Sequence, residues 1–199
     1  MKIINFQQRS PEWYEWRRAG VGASDIPVLT GNSPYTNKRQ LILQKKGEGK
    51  QKLISEHVLN ISNQVEIDAI NYFKENKNII FEPICAEHDH ESLLRASLDG
   101  WNEKAGILEC KYISYRYFND LKENKKIRMD HQDQMQYQML ITGHNVAYYY
   151  VQNTAGDNLI LTLNEDTGYQ NKLKKLALEF LSELNIGLNG VNQPGDIFI

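Results

Sequence analysis

Two strand-like runs, Ser92–Leu98 and Ile107–Ile113, flank the turn-rich segment Gly100–Gly106 and set a hairpin at the middle of the chain. Strand alternation puts Glu109 and Lys111 on one face, with Leu108, Cys110 and Tyr112 on the other. Asp99 closes the first run, so the hairpin carries its carboxylate beside Glu109. Two carboxylates held this close resist ionisation unless a cation lies between them. A hard divalent ion such as Mg²⁺ takes oxygen ligands and keeps several waters. A lysine beside it can orient or deprotonate the attacking water and stabilise charge on a phosphoryl oxygen. The pattern is equipment for cleaving a phosphodiester. The same residues also read as a surface ion pair on an edge strand beside an ordinary Asp-Gly turn.

Around this hairpin the chain alternates between helical and strand patterns. Ser24 reads as the N-cap of a short helix through Leu29, with Pro27 in its first turn and Gly31 as its stop. Thr36–Lys46 reads as a second helix ended by Gly47. Ser55–Asn76 reads as a long one, with Val58, Ile61, Val65, Ala69 and Tyr72 at helical spacing. A strand is expected over Ile79–Ala86, a helix over Met129–Thr142 closed by Gly143, a hairpin from Val146–Gln152 and Leu159–Leu163, and a closing helix over Tyr169–Leu184. Strands flanked by helices predict an α/β or α+β fold on a mixed central sheet.

Length and composition bound the classes. A chain of 199 residues with 41% hydrophobic and 24% charged residues fits one globular domain, expected to span 1–199. No run approaches the ~18 apolar residues of a membrane span, and the opening MKIINFQQRSPEW lacks a signal peptide's apolar stretch. Cys85 and Cys110 are too few for a disulfide framework, so reduced thiols in a cytoplasm are expected. The net charge of −2 argues against coating nucleic acid by bulk basicity. Local basic clusters do occur: one includes Lys38, Arg39, Lys45, Lys46, Lys50 and Lys52, another Lys122, Lys125, Lys126 and Arg128. Such runs are most often solvated faces.

Other residues extend the acidic pattern. Glu66 shares a helical stripe with Leu59, Ile70 and Phe73, which puts a carboxylate at the margin of a buried face, where it needs a partner or reaches water. Gln134 and Gln138 share one face of the Met129–Thr142 helix, suited to binding a water or a phosphate or simply facing solvent. Arg17 and Arg18 precede a glycine-containing turn and Ser24, an arrangement suited to an anion at a helix N-terminus or to a plain structural cap. His88 and His90 lie in a charged loop with no cysteine pair nearby, so solvent is their expected neighbour rather than zinc. Tyr148–Tyr150 fit strand packing better than base stacking.

The run W-Y-E-W-R-R-A-G-V-G-A-S followed by G-N-S-P-Y resembles the opening of the YqaJ-like viral recombinases, relatives of the phage lambda exonuclease. The resemblance continues in order through N-Q-V-E-I-D-A with Glu66, L-D-G with Asp99, L-E-C-K with Glu109 and Lys111, and Q-M-Q-Y-Q-M-L-I-T-G. It departs at Asn63, where relatives often carry glycine three residues before the helix glutamate.

This resemblance implies a restriction-endonuclease-like PD-(D/E)xK core and a Mg²⁺-dependent exonuclease, with Mn²⁺ able to substitute. It implies digestion of one strand of linear duplex DNA from its ends, 5′ to 3′, releasing 5′-mononucleotides and leaving a 3′ strand for a single-strand annealing protein. Glu66, Asp99, Glu109 and the Cys110 carbonyl would hold metal. Lys111 would act on the attacking water with Gln134 assisting, and Arg17 and Ser24 would bind the 5′-phosphate. A homotrimer ring and a phage or prophage protein in a bacterial cytoplasm follow from the same resemblance. An endonuclease of the resolvase or restriction type, or a non-catalytic DNA-end-binding module, would use the same core.

Overall fold

The computed structural model describes residues 1–49 and 55–184. Lys50 and Lys52 of the first basic cluster lie outside them.

The chain opens with β1 (Lys2–Ile4) and α1 (Pro11–Arg18), a helix the sequence patterns did not single out. Ser10 caps α1 by accepting the Trp13 N–H at 3.2 Å, and Pro11 starts it where a missing N–H costs nothing. Next come β2 (Val21–Gly22), a 3-10 turn (Ala23–Asp25) and α2 (Ile26–Leu29). Ser24 is not the cap of this segment. Asp25 turns back instead, its Oδ2 accepting the Gly22 N–H at 2.8 Å, which frees the Ser24 hydroxyl. Then α3 (Lys38–Lys45) begins later than Thr36, because Asn37 caps it. The long α4 (Glu56–Lys77) starts at its Ser55 cap and buries Val65, Ala69 and Phe73, while Val58 stays exposed.

The central sheet is mixed, as expected. Its strands are β3 (Glu82–Glu87), β4 (Leu94–Asn102), β5 (Gly106–Ile113), β6 (Val146–Asn153) and β7 (Asn158–Asn164), in the order β1-β3-β4-β5-β6-β7, with β2 added alongside β4. Neighbours along this order run antiparallel except β5 and β6, which pair in parallel from Ile107↔Ala147 to Ile113↔Asn153. Parallel neighbours need a crossover. Here it is made by α5 (Tyr115–Asn124), also not singled out by pattern, and α6 (Met129–Thr142), which matches its expected bounds and ends at Gly143 with φ 74°. The closing helix, α7 (Thr167–Glu183), follows β7.

Helices cover both faces of the sheet. On one, Val65, Ala69 and Phe73 of α4 pack on Phe81, Leu108, Cys110 and Tyr150. On the other, α6 and α7 bring Met135, Met139, Leu173, Ala177 and Phe180 against Ile107, Ala147, Tyr149 and Val151. Each such fully buried large side chain contributes about 1.5–3 kcal/mol. Asp99-Gly100 is not a turn: both residues lie within β4, and the reversal falls after Asn102. Glycine is needed at position 100 for space, since a Cβ there would meet Phe81 Cβ at 2.8 Å and Leu108 Cβ at 3.0 Å.

Candidate active site

The β4–β5 pairing ends at Gly100↔Leu108, so Asp99 and Glu109 are the next residues outward on the two strands. Beyond that point the Asp99 carboxylate replaces the ladder, its Oδ2 accepting the Cys110 N–H at 2.8 Å. The splayed strands open a cleft of ≈440 Å³, and α4 supplies Glu66 from the other side. Glu66, Asp99, Glu109, Cys110, Lys111, Gln134, Arg17 and Ser24 all line this one cleft. The structure thus gathers residues spread from α1 to α6.

Glu109 is its most enclosed acid, only 1% exposed. Three donors surround its carboxylate: Gln134 Nε2 reaches Oε1 at 2.7 Å, Gln138 Nε2 reaches Oε2 at 2.6 Å, and Lys111 Nζ forms an ion pair with Oε1. The glutamines stand one helical turn apart on α6, so a single rigid element presents both. Gln138, which the sequence left between solvent and ligand, is a buried support of Glu109.

The charges in the cleft act on one another. Burial, and then the Glu109 charge, push the Asp99 carboxyl well above its ordinary value. Glu66 is also raised, first by burial and then by Glu109, with Arg9 opposing. Burial alone would lower the Lys111 ammonium, but the Glu109 and Asp99 charges outweigh it and raise it. Lys111 is therefore held as a cation. The Cys110 thiol is pushed well above its usual range, chiefly by burial, which leaves it an unreactive packing group.

Among the described residues no three His, Cys, Asp or Glu side chains form a ready-made metal cage. Asp99 and Glu66 face the cleft with ionisation disfavoured, and Glu109, though held by its three donors, lines it as well. Such a set suits an ion bound through one or two carboxylates and several waters, the habit of Mg²⁺. The lining offers no imidazole or thiolate cluster of the kind zinc takes. The donor chemistry fits the expected hard cation.

At the other end of the cleft, Arg17 Nη2 donates to Ser24 Oγ at 2.6 Å, and the guanidinium lies 4.4 Å from the Trp13 ring centroid. Trp13 is fixed in turn by its indole N–H, 2.8 Å from Ser97 Oγ. Beneath this pair, the buried Lys45 ammonium donates to the carbonyls of Arg17 at 2.9 Å and Gly20 at 2.6 Å, and pairs with Asp25. Lys45, read from sequence as part of a solvated basic run, is an internal brace of the Arg17–Ser24 segment. No histidine lines this cleft: His88 and His90 contact each other, and His131 is buried 2.5 Å from the Tyr149 hydroxyl.

Sequence patterns gave no sign of Gln8 and Arg9, which also line the cleft. Gln8 Nε2 donates to the Leu98 carbonyl at 3.0 Å, and Arg9 approaches Glu66 at 3.6 Å. Both lie in an irregular segment whose place depends on tertiary contacts.

Residues 12–145 match the YqaJ-like viral recombinase domain. No curated protein matches the chain. Among solved structures, the fold resembles LHK-Exo in complex with dAMP, at TM-score 0.75 and 19% identity over 88% of this chain and 93% of that one. LHK-Exo is described as an alkaline exonuclease from Laribacter hongkongensis, and a second structure of it gives TM-score 0.73, 18% identity and the same coverage. A phage-related exonuclease from Haemophilus somnus 129PT gives TM-score 0.63 and 13% identity over 83% of this chain and 95% of that one. These structures share the fold of the chain.

Proposed function

Because the chain belongs to the YqaJ-like viral recombinase domain family, we propose that it is a divalent-metal-dependent DNA exonuclease that shortens one strand of linear duplex. The observation that carries this reading is the enclosed Glu109. Its carboxylate is held by Gln134, Gln138 and Lys111 in the same cleft as Asp99, Glu66 and the Arg17–Ser24 pair.

Asp99, Glu109 and Glu66 are the acids that would hold the ion. In an extended strand a residue's N–H and C=O point to the same side. The Cys110 N–H is turned to Asp99, so its carbonyl is directed there too and can join the set. Mg²⁺, with Mn²⁺ as substitute, would supply Lewis-acid stabilisation of the phosphoryl charge and lower the pKa of the attacking water.

The residues do the rest. Lys111, whose Nζ pairs with Glu109, would orient the nucleophile and stabilise charge on the scissile phosphate. Gln134 fixes Glu109 and supplies a donor at the cleft wall. The Arg17 fork and Ser24 hydroxyl suit the terminal phosphate of a 5′ end, which gives 5′ to 3′ polarity and 5′-mononucleotide products. The nucleoside monophosphate bound to LHK-Exo accords with such a product. A single-strand annealing protein as partner, a homotrimer ring and a phage-encoded protein of the bacterial cytoplasm complete the proposal. Among the described residues no helix is long and apolar enough to cross a membrane.

The test is digestion of a 5′-phosphorylated linear duplex labelled separately at each end, beside covalently closed circular DNA. Mg²⁺-dependent loss of the 5′ label as mononucleotide, with the circle intact, is expected. Cutting of the circle indicates an endonuclease, and binding without release with either Mg²⁺ or Mn²⁺ indicates an end-binding module.

A further inference from the structure

Three residues among those described combine a side chain with positive φ: Arg9 at 72°, Asn78 at 54° and Lys125 at 53°. Asn78 and Lys125 are helix C-caps, where the left-handed conformation is ordinary. Arg9 is not. It occupies the third position of a turn closed by the Ser10 N–H on the Gln7 carbonyl at 3.1 Å, a place where positive φ favours glycine. Strain of this kind collects where a side chain has a task.

The turn is fixed onto the site. Gln8 ties it to the carbonyl of Leu98, the neighbour of Asp99, at 3.0 Å, and the Ser10 cap begins α1 directly after it. From this anchored backbone the Arg9 guanidinium crosses to α4. Nη1 donates to Asn63 Oδ1, and Nη2 stands 3.6 Å from Glu66 Oε1, an ion pair too long for a hydrogen bond. Asn63 and Glu66 lie one helical turn apart, so both face the same guanidinium. The side chain remains 38% exposed at the cleft wall. A guanidinium carries five donors, and the hydrogen bond to Asn63 uses one.

We propose that Arg9 is a DNA-backbone contact: the Asn63 bond aims its fork across the cleft, where it takes a phosphodiester oxygen of the duplex. This rests on the nuclease reading above and adds a third cationic side chain to Arg17 and Lys111. In the free protein Arg9 balances Glu66. That ion pair is too long for a hydrogen bond, so the remaining donors of the guanidinium stay open to a phosphate whether or not a cation is bound.

Arg9→Gly tests this without disturbing the fold, since glycine adopts φ 72° freely; a melting temperature within a few degrees of wild type checks that. Binding of a labelled blunt duplex in EDTA is followed by fluorescence anisotropy over a salt series. Arg9→Gly is expected to weaken binding about tenfold and to lower the salt slope by about 0.9, the signature of one lost phosphate contact. Arg9→Lys should keep the slope with intermediate affinity, and Asn63→Ala should fall between wild type and Arg9→Gly. Equal affinity and slope for wild type and Arg9→Gly overturns the assignment while leaving the nuclease reading intact. No duplex binding by wild type overturns both.

Discussion

Gln138 donates its side-chain N–H to Glu109 Oε2 at 2.6 Å, while its side-chain Oε1 is buried with no hydrogen-bond partner among the described residues. One half of the amide thus supports the acid and the other is a standing cost. Gln138→Met relieves the second but strips Glu109 Oε2 of its donor, so a net loss of about 1–2 kcal/mol is expected. Activity should fall about tenfold, because Glu109 is then oriented only by Gln134 and Lys111. Urea unfolding beside duplex digestion checks the pairing of a modest stability change with a clear kinetic one.

Lys111 and Glu109 form an ion pair whose acid is almost fully enclosed. Lys111→Met leaves that carboxylate without its cation and is expected to cost about 3–5 kcal/mol. Glu109→Gln added to it should recover much of the loss, since the orphaned charge is gone. Neither variant should digest DNA. Recovery of stability without recovery of activity in the double variant is the outcome to look for in denaturation and nuclease assays.

Gly100, next to Asp99, packs against the Phe81 and Leu108 side chains, and its missing Cβ is what lets β4 lie so close. Gly100→Ala forces that strand to shift and should destabilise by about 1–3 kcal/mol. The shift reaches Asp99 next door, so divalent-ion affinity should fall as well. Calorimetric binding compared with a thermal melt checks whether both effects appear together.

Two groups give the metal-free protein opposite pH limbs. Asp99 is raised above its ordinary 3.8 by burial and then by Glu109, so its contribution is present below that value and lost as pH rises through the raised one. His131 is lowered from 6.5 to about 3, first by burial, then by Lys111, with Asp130 opposing and Arg128 adding. Its contribution is present above 6.5 and lost as pH falls towards about 3. Urea unfolding in EDTA across this range should show Asp99→Asn flattening the alkaline limb and His131→Gln flattening the acid limb.

That Glu109 and Lys111 share one face of β5 was legible from strand alternation, and α6 was bounded correctly because Gly143 stops it with a positive φ. The Asp-Gly pair misled: glycine is there for close packing, not for a turn, and only the neighbouring strand reveals that. Ser24 looked like a cap because nothing local shows Asp25 folding back to Gly22. For α5, Phe118 and Leu121 are the buried residues, an amphipathic stripe confined to ten residues. The parallel pairing of β5 with β6, and the approach of Arg9 to α4, join residues distant along the chain and leave no periodic trace.

On the proposed reading, Asp99 and its neighbours form a divalent-cation site serving phosphodiester cleavage. Calorimetric titration of Mg²⁺ into chelator-treated protein at about pH 8, wild type against Asp99→Asn, tests it most directly. Saturable uptake is expected in wild type and its loss in the variant. Equal Mg²⁺ binding by both proteins, or none by wild type, would contradict the account.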